Sequence, residues 1–125
     1  MKTIVLCFFL GAAIAFTAAA ADVTGKWSGS FAAEGGDSGS AYVILKQAGS
    51  KVTGSGGPAA TEQWPGLQGT VDGNKVSFEV KSASDGTVYK CELVLEGDHL
   101  KGDVVFTPSG GEPGKAKLEL TRVTD

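Results

Sequence analysis

The chain has 125 residues, with 11 Lys and Arg against 14 Asp and Glu, one His, two Cys and 19 Gly, and a net charge of −3. No stretch is densely basic, which argues against a nucleic-acid partner, because affinity for phosphate rests on clustered Lys and Arg. One histidine and two cysteines supply no set with metal-ligand spacing, and the acidic balance reads as solubility.

Met1-Lys2 is a minimal positive n-region, Ile4 to Phe16 is an apolar core of the length a Sec leader uses, and Ala18 to Ala21 offer small residues for cleavage. Residues 1–21 are therefore expected to be a signal peptide, cleaved near Ala20 or Ala21, and 22–125 a single domain, secreted or periplasmic, with no membrane contact after cleavage. A retained anchor is the alternative, but the apolar stretch falls short of the ~20 residues a span needs. Cys7 lies inside that stretch rather than just after it, which argues against lipidation. Removing the leader takes Lys2 with it, so 10 basic side chains face 14 acidic ones and the net charge becomes −4. Cys91 is then the single thiol, with no partner for an intramolecular disulfide, and it reads as a buried, inert side chain.

In chain order, period-two alternation bounded by turn residues predicts eight strands: Val23–Ala33, Ala41–Gln47, Lys51–Ser55, Leu67–Val71, Lys75–Lys81, Thr87–Leu95, Leu100–Thr107 and Ala116–Val123. Gly49-Ser50, Asp72-Gly73-Asn74, Asp85-Gly86 and Gly97-Asp98 are suited to tight hairpins. The stretch from Gly56 to Gly66 reads as the longest irregular segment. One face of the strands is apolar (Val76, Phe78 and Val80; Tyr89, Cys91, Leu93 and Leu95) and the other charged (Lys75, Glu79, Lys81; Lys90, Glu92). An outer-membrane barrel would turn its apolar residues outward and use longer strands. The expected fold is all-β: an eight-stranded antiparallel up-and-down meander closed into a water-soluble barrel, with a two-sheet sandwich of the same strands as the alternative.

Arg122, the one arginine, falls in the inward phase after Leu120. If the last strand pairs antiparallel with the first, its guanidinium lies across Trp27 and closes the barrel by cation–π and stem packing, worth roughly 0.5–2 kcal/mol. Through Gly25, Trp27 and Arg122 the chain resembles the calycins, the lipocalin-like and avidin-like barrels, whose first strand carries G-x-W and, in lipocalins, receives a late Arg on that Trp. The resemblance implies a barrel and transfers no ligand residues. Through Gly25-Lys26-Trp27-Ser28-Gly29-Ser30-Phe31 and the segment LKQAGSKVTGS from Leu45 to Ser55, the chain also resembles a group of small exported bacterial β proteins, which implies export but no particular chemistry.

Apparent catalytic motifs carry little. Gly36-Asp37-Ser38-Gly39 is similar to the nucleophile segment of trypsin-like proteases, yet a triad needs a base beside the Ser, and His99 sits at a turn in an outward phase. Gly110-Gly111-Glu112-Pro113-Gly114-Lys115 lacks the spacing and the following helix of a phosphate loop. Glu79, Glu92 and Glu119 read as partners for cross-strand Lys. No catalytic residue, metal ligand or cofactor is expected, and the chain is expected to be a monomer and not an enzyme.

Two features stay open. Gly25, Gly29, Gly54, Gly69 and Gly102 fall on the inward phase; they either permit strand coiling or leave space for a cavity walled by Phe31, Phe78, Tyr89 and Phe106. Trp64, in Gln63-Trp64-Pro65-Gly66, either caps the barrel mouth or forms a lid or an exposed contact. The expected function is non-enzymatic binding of a small apolar or amphipathic molecule inside the barrel. The alternative is an extracytoplasmic accessory module that binds glycan or protein through its surface or the Trp64 loop.

Overall fold

Period-two alternation commits each segment to one wet and one dry face, and closing the sheet buries every dry face at once. The computed structural model describes residues 22–36 and 38–123; the expected leader lies outside them. Eight strands form: β1 (Gly25–Ala33), β2 (Ser38–Ala48), β3 (Lys51–Ala59), β4 (Glu62–Asp72), β5 (Lys75–Lys81), β6 (Val88–Glu96), β7 (His99–Thr107) and β8 (Gly114–Arg122). Each pairs antiparallel with its neighbour in sequence, and β8 pairs with β1, so the sheet is a closed up-and-down barrel. The sandwich alternative does not occur.

The connections alternate between the two ends of the barrel. At one end sit the β2–β3, β4–β5 and β6–β7 turns together with both ends of the described chain, and this end is filled. Trp27, Leu45, Leu93, Leu100 and Leu120 are all at most 2% exposed, a continuous floor of large side chains. Trp27 pairs directly with Arg122 across the β1–β8 seam, and the guanidinium carbon stands 4.4 Å from the indole centroid. Arg122 also donates to the carbonyls of Thr24 (2.9 Å) and Asp22 (3.0 Å) and to Asp98 Oδ1 (3.3 Å). Its inward guanidinium is thus fully engaged, which removes most of the cost of placing a charge there. Trp27 Nε1–H donates to the carbonyl of Val23, whose own N–H donates to Gln47 Oε1. Gly25 fits this arrangement because its φ is +144° and a Cβ would stand 3.2 Å from Arg122 Nη1.

Four of the other inward glycines are coiling devices. A Cβ at Gly29, Gly54, Gly69 or Gly102 would lie within 2.0 Å of a carbonyl oxygen on the neighbouring strand. The space they leave is taken up by backbone, so these positions add no room for a ligand. Outside the barrel, Glu79 faces Lys90 and Glu119 faces Lys101 in register. The close ion pairs among the described residues are nevertheless Lys117–Asp103 and Arg122–Asp98.

The segment from Gly56 to Gly66 is not irregular. β3 runs on to Ala59, Ala60 and Thr61 make the turn, and β4 starts at Glu62. Ser, Gly and Pro leave no apolar–polar alternation to read, and two register shifts interrupt the pairing. Leu67 pairs with Gly54 while Pro65 pairs with Ser55, so Gly66, at φ +89°, is an extra residue bulged out of β4. The bulge reverses the phase of the residues before it. Side chains then staple the region: Ser55 Oγ–H donates to Gln63 Oε1, Gln63 Nε2 donates to the carbonyls of Tyr42 and Ala59, and Ser40 Oγ–H donates to that of Pro58.

Trp27→Ala should lower stability by about 3–5 kcal/mol, as a buried large-to-small change. Arg122→Ala should cost about 1–3 kcal/mol through the lost stacking and charge-assisted bonds. Denaturant midpoints measure both, and an unchanged midpoint for Arg122→Ala contradicts the account of the seam.

Candidate functional site

The opposite end of the barrel is built differently. Inward positions nearest the mouth carry aromatic rings, because β1, β4, β6 and β7 place Phe31, Trp64, Tyr89 and Phe106 at that end. All four are half-buried. Tyr89 is the hub: Trp64 stacks on it at 5.7 Å and 10°, Phe31 meets it edge-on at 6.0 Å and 83°, and Phe106 lies tilted at 6.4 Å. Phe31 and Phe106 also touch, at 5.9 Å between centroids. Such pairs contribute about 0.5–1.5 kcal/mol each beyond area burial.

Phe31, Trp64 and Tyr89 border a cavity of about 180 Å³. Its inner wall is made of buried Val43, Phe78, Val80, Cys91, Val104 and Leu118, and its rim of Phe31, Trp64 and Tyr89. Gly56, Gly57 and Pro58 complete the β3 side. Of the aromatic residues singled out in the sequence, Phe31, Phe78, Tyr89 and Trp64 come together around this space. Phe106 stands behind Phe31 and Tyr89 and does not line it; its ring packs against Gly114, where a Cβ would meet Phe106 Cζ at 2.5 Å. Trp64 stands half-buried in strand β4, not in a Pro/Gly loop. Strict alternation back from Leu67 puts Trp64 outside; the Gly66 bulge turns it inward.

No charged side chain lines the cavity. The lining residues with polar side-chain atoms are Ser40, Trp64, Tyr89 and Cys91, and the Ser40 hydroxyl already donates to the Pro58 carbonyl. Burial pushes the Tyr89 phenol above its ordinary range and the nearby Asp85 carboxylate adds to the shift, so the ring stays neutral. Asp85 is held low by hydrogen bonds from Thr87 and from Ser82 in the β5–β6 connection. Burial likewise pushes the Cys91 thiol up to about 12. A thiol so desolvated is a hydrophobic wall element and a poor nucleophile.

The remaining motif residues are scattered. Ser38 opens β2 at the aromatic end, whereas His99 opens β7 at the filled end and faces Thr121 Oγ1 at 3.2 Å. Asp37 lies outside the described residues. Among the described residues, no three His, Cys, Asp or Glu side chains gather where a metal ion would be held. Gly56, at the head of the segment expected to be irregular, continues the inward phase of Val52 and Gly54 and lines the cavity. Comparison with protein-family models, curated proteins and solved structures finds no match to this chain.

The Cys91 thiol sets a pH dependence. Its folded value of about 12 lies above the unfolded one, so the proton it keeps stabilises the fold below pH about 9 and that stabilisation is lost as pH rises toward 12. Unfolding free energy should therefore fall by about 1.4 kcal/mol per pH unit across that window from this group. Cys91→Ala should lower the plateau and flatten the slope, and iodoacetamide at pH 8 should label the thiol only in denaturant. Rapid labelling of the native protein contradicts the burial.

Proposed function

We propose that the protein is an exported, calycin-like barrel that holds a small apolar or amphipathic molecule in its aromatic mouth. The observation that carries this reading is the uncharged cavity of about 180 Å³ at one end of a barrel whose other end is filled. An apolar cavity of roughly 150 Å³ is enough to take up benzene, so the volume suffices for a small ligand. The calycin relation is supported by up-and-down closure with Gly25 and Trp27 beneath Arg122. Export is supported by the charged, apolar and small-residue order of residues 1–21. Binding of this kind needs no catalytic group: transfer of apolar surface out of water drives it, at about 25 cal/mol per Å², and the rings add orientation.

Trp64 is a built-in reporter, since Trp27 is sealed at the far end. Titrating the mature chain with lipids, haem and aromatic compounds should change Trp64 emission, and Trp64→Phe should abolish the change. A ligand at a hundred times its Kd should raise stability by about 2.7 kcal/mol. A panel in which nothing moves emission or melting temperature refutes the reading. For export, mass spectrometry of the protein recovered from periplasm or medium should give a chain beginning at Ala21 or Asp22; an exported chain that retains residues 1–20 contradicts leader cleavage.

A further inference from the structure

One position lines the cavity without a side chain and without a backbone reason for lacking one. Gly56 is buried and is not among the glycines with positive φ. A Cβ there would meet Leu67 Cδ1 at 3.6 Å and Val43 Cγ2 and Val80 Cγ1 at 3.7 Å, ordinary van der Waals separations. Next to it, a Cβ at Gly57 would lie 2.0 Å from the Glu62 carbonyl oxygen. Glycine is thus demanded by the backbone at 57 and not at 56. A side chain at 56 would enter the space beside Leu67, Val43 and Val80, and Gly56, Val43 and Val80 all line the cavity.

That space has a definite chemistry. A buried carboxylate or ammonium would find no partner, because no charged side chain lines the cavity. A long alkyl chain finds no channel either, since Trp27, Leu45, Leu100 and Leu120 fill the barrel beyond it. Flat rings are what the stacked Trp64–Tyr89 pair and the edge-on Phe31 complement.

We infer that the site takes a neutral, single-ring aromatic compound seated against Trp64 and Tyr89, and that Gly56 sets its upper size. The inference rests on reading the mouth as a small-molecule site.

Toluene, phenol, benzoate and laurate, titrated into the mature chain and into Gly56→Ala and Gly56→Val, separate the two ideas. Calorimetry gives affinity, Trp64 emission gives location, and melting temperature checks the fold. Toluene and phenol should bind, with benzoate and laurate at least about tenfold weaker. Gly56→Ala should weaken toluene by about tenfold or more, the usual effect of one methylene in an apolar pocket. Its melting temperature should equal or exceed that of the parent, because the added methyl fits and the unfolded chain loses freedom. Gly56→Val should abolish binding. Benzoate or laurate binding as tightly as toluene, or an unchanged toluene affinity in Gly56→Ala, overturns the ligand class or the role of Gly56 while leaving a small-molecule site in place. Silence of Trp64 to all four compounds removes the site itself, and this inference with it.

Discussion

A barrel has no free edge only when its last strand finds its first, and here that meeting is fixed by Arg122 laid over Trp27. The residues joined are far apart in sequence: Arg122 reaches the Thr24 carbonyl across 98 positions. Closing so long a loop costs chain entropy, recovered only once the seam and the interior form together. The pair also fixes register. With a side-chain period of two, a one-residue slip between β8 and β1 would turn the guanidinium outward and separate it from the indole. Every interior position in both halves of the barrel assumes that this slip has not happened.

The two halves then solve the same packing problem differently. Below, leucines and a tryptophan are packed out of contact with solvent. Above, rings surround a space that a single larger residue on β3 would reduce. The glycines make the contrast sharper. Gly29, Gly54, Gly69 and Gly102 are required by neighbouring carbonyls and allow the strands to coil tightly, whereas Gly56 meets only side-chain atoms at comfortable distances.

Where alternation is clean, the strands were legible from sequence. β5 reads Lys-Val-Ser-Phe-Glu-Val-Lys and is buried at every second residue. The reading failed between Gly56 and Gly66 for an identifiable reason. A strand of Ser, Gly and Pro displays no polarity pattern, and its order comes from main-chain pairing and the Gln63 amide. The Gly66 bulge added a second obstacle by shifting the phase at Trp64. The aromatic wall followed from parity for Phe31, Phe78 and Tyr89. Phe106 shares that parity yet stands behind the others, since parity gives a face and says nothing of depth. Which inward glycines make room and which only permit coiling is decided by the distance to the adjacent strand, a quantity that a one-dimensional pattern does not contain.

Both ends of the described chain emerge beside the filled floor, Gly25 at the start of β1 and Arg122 at the close of β8. The aromatic rim is therefore made of hairpins alone. A solid support or a neighbouring domain joined next to β1 or β8 would therefore meet the cylinder at its base. The aromatic mouth lies at the other end, a full strand length from either joint.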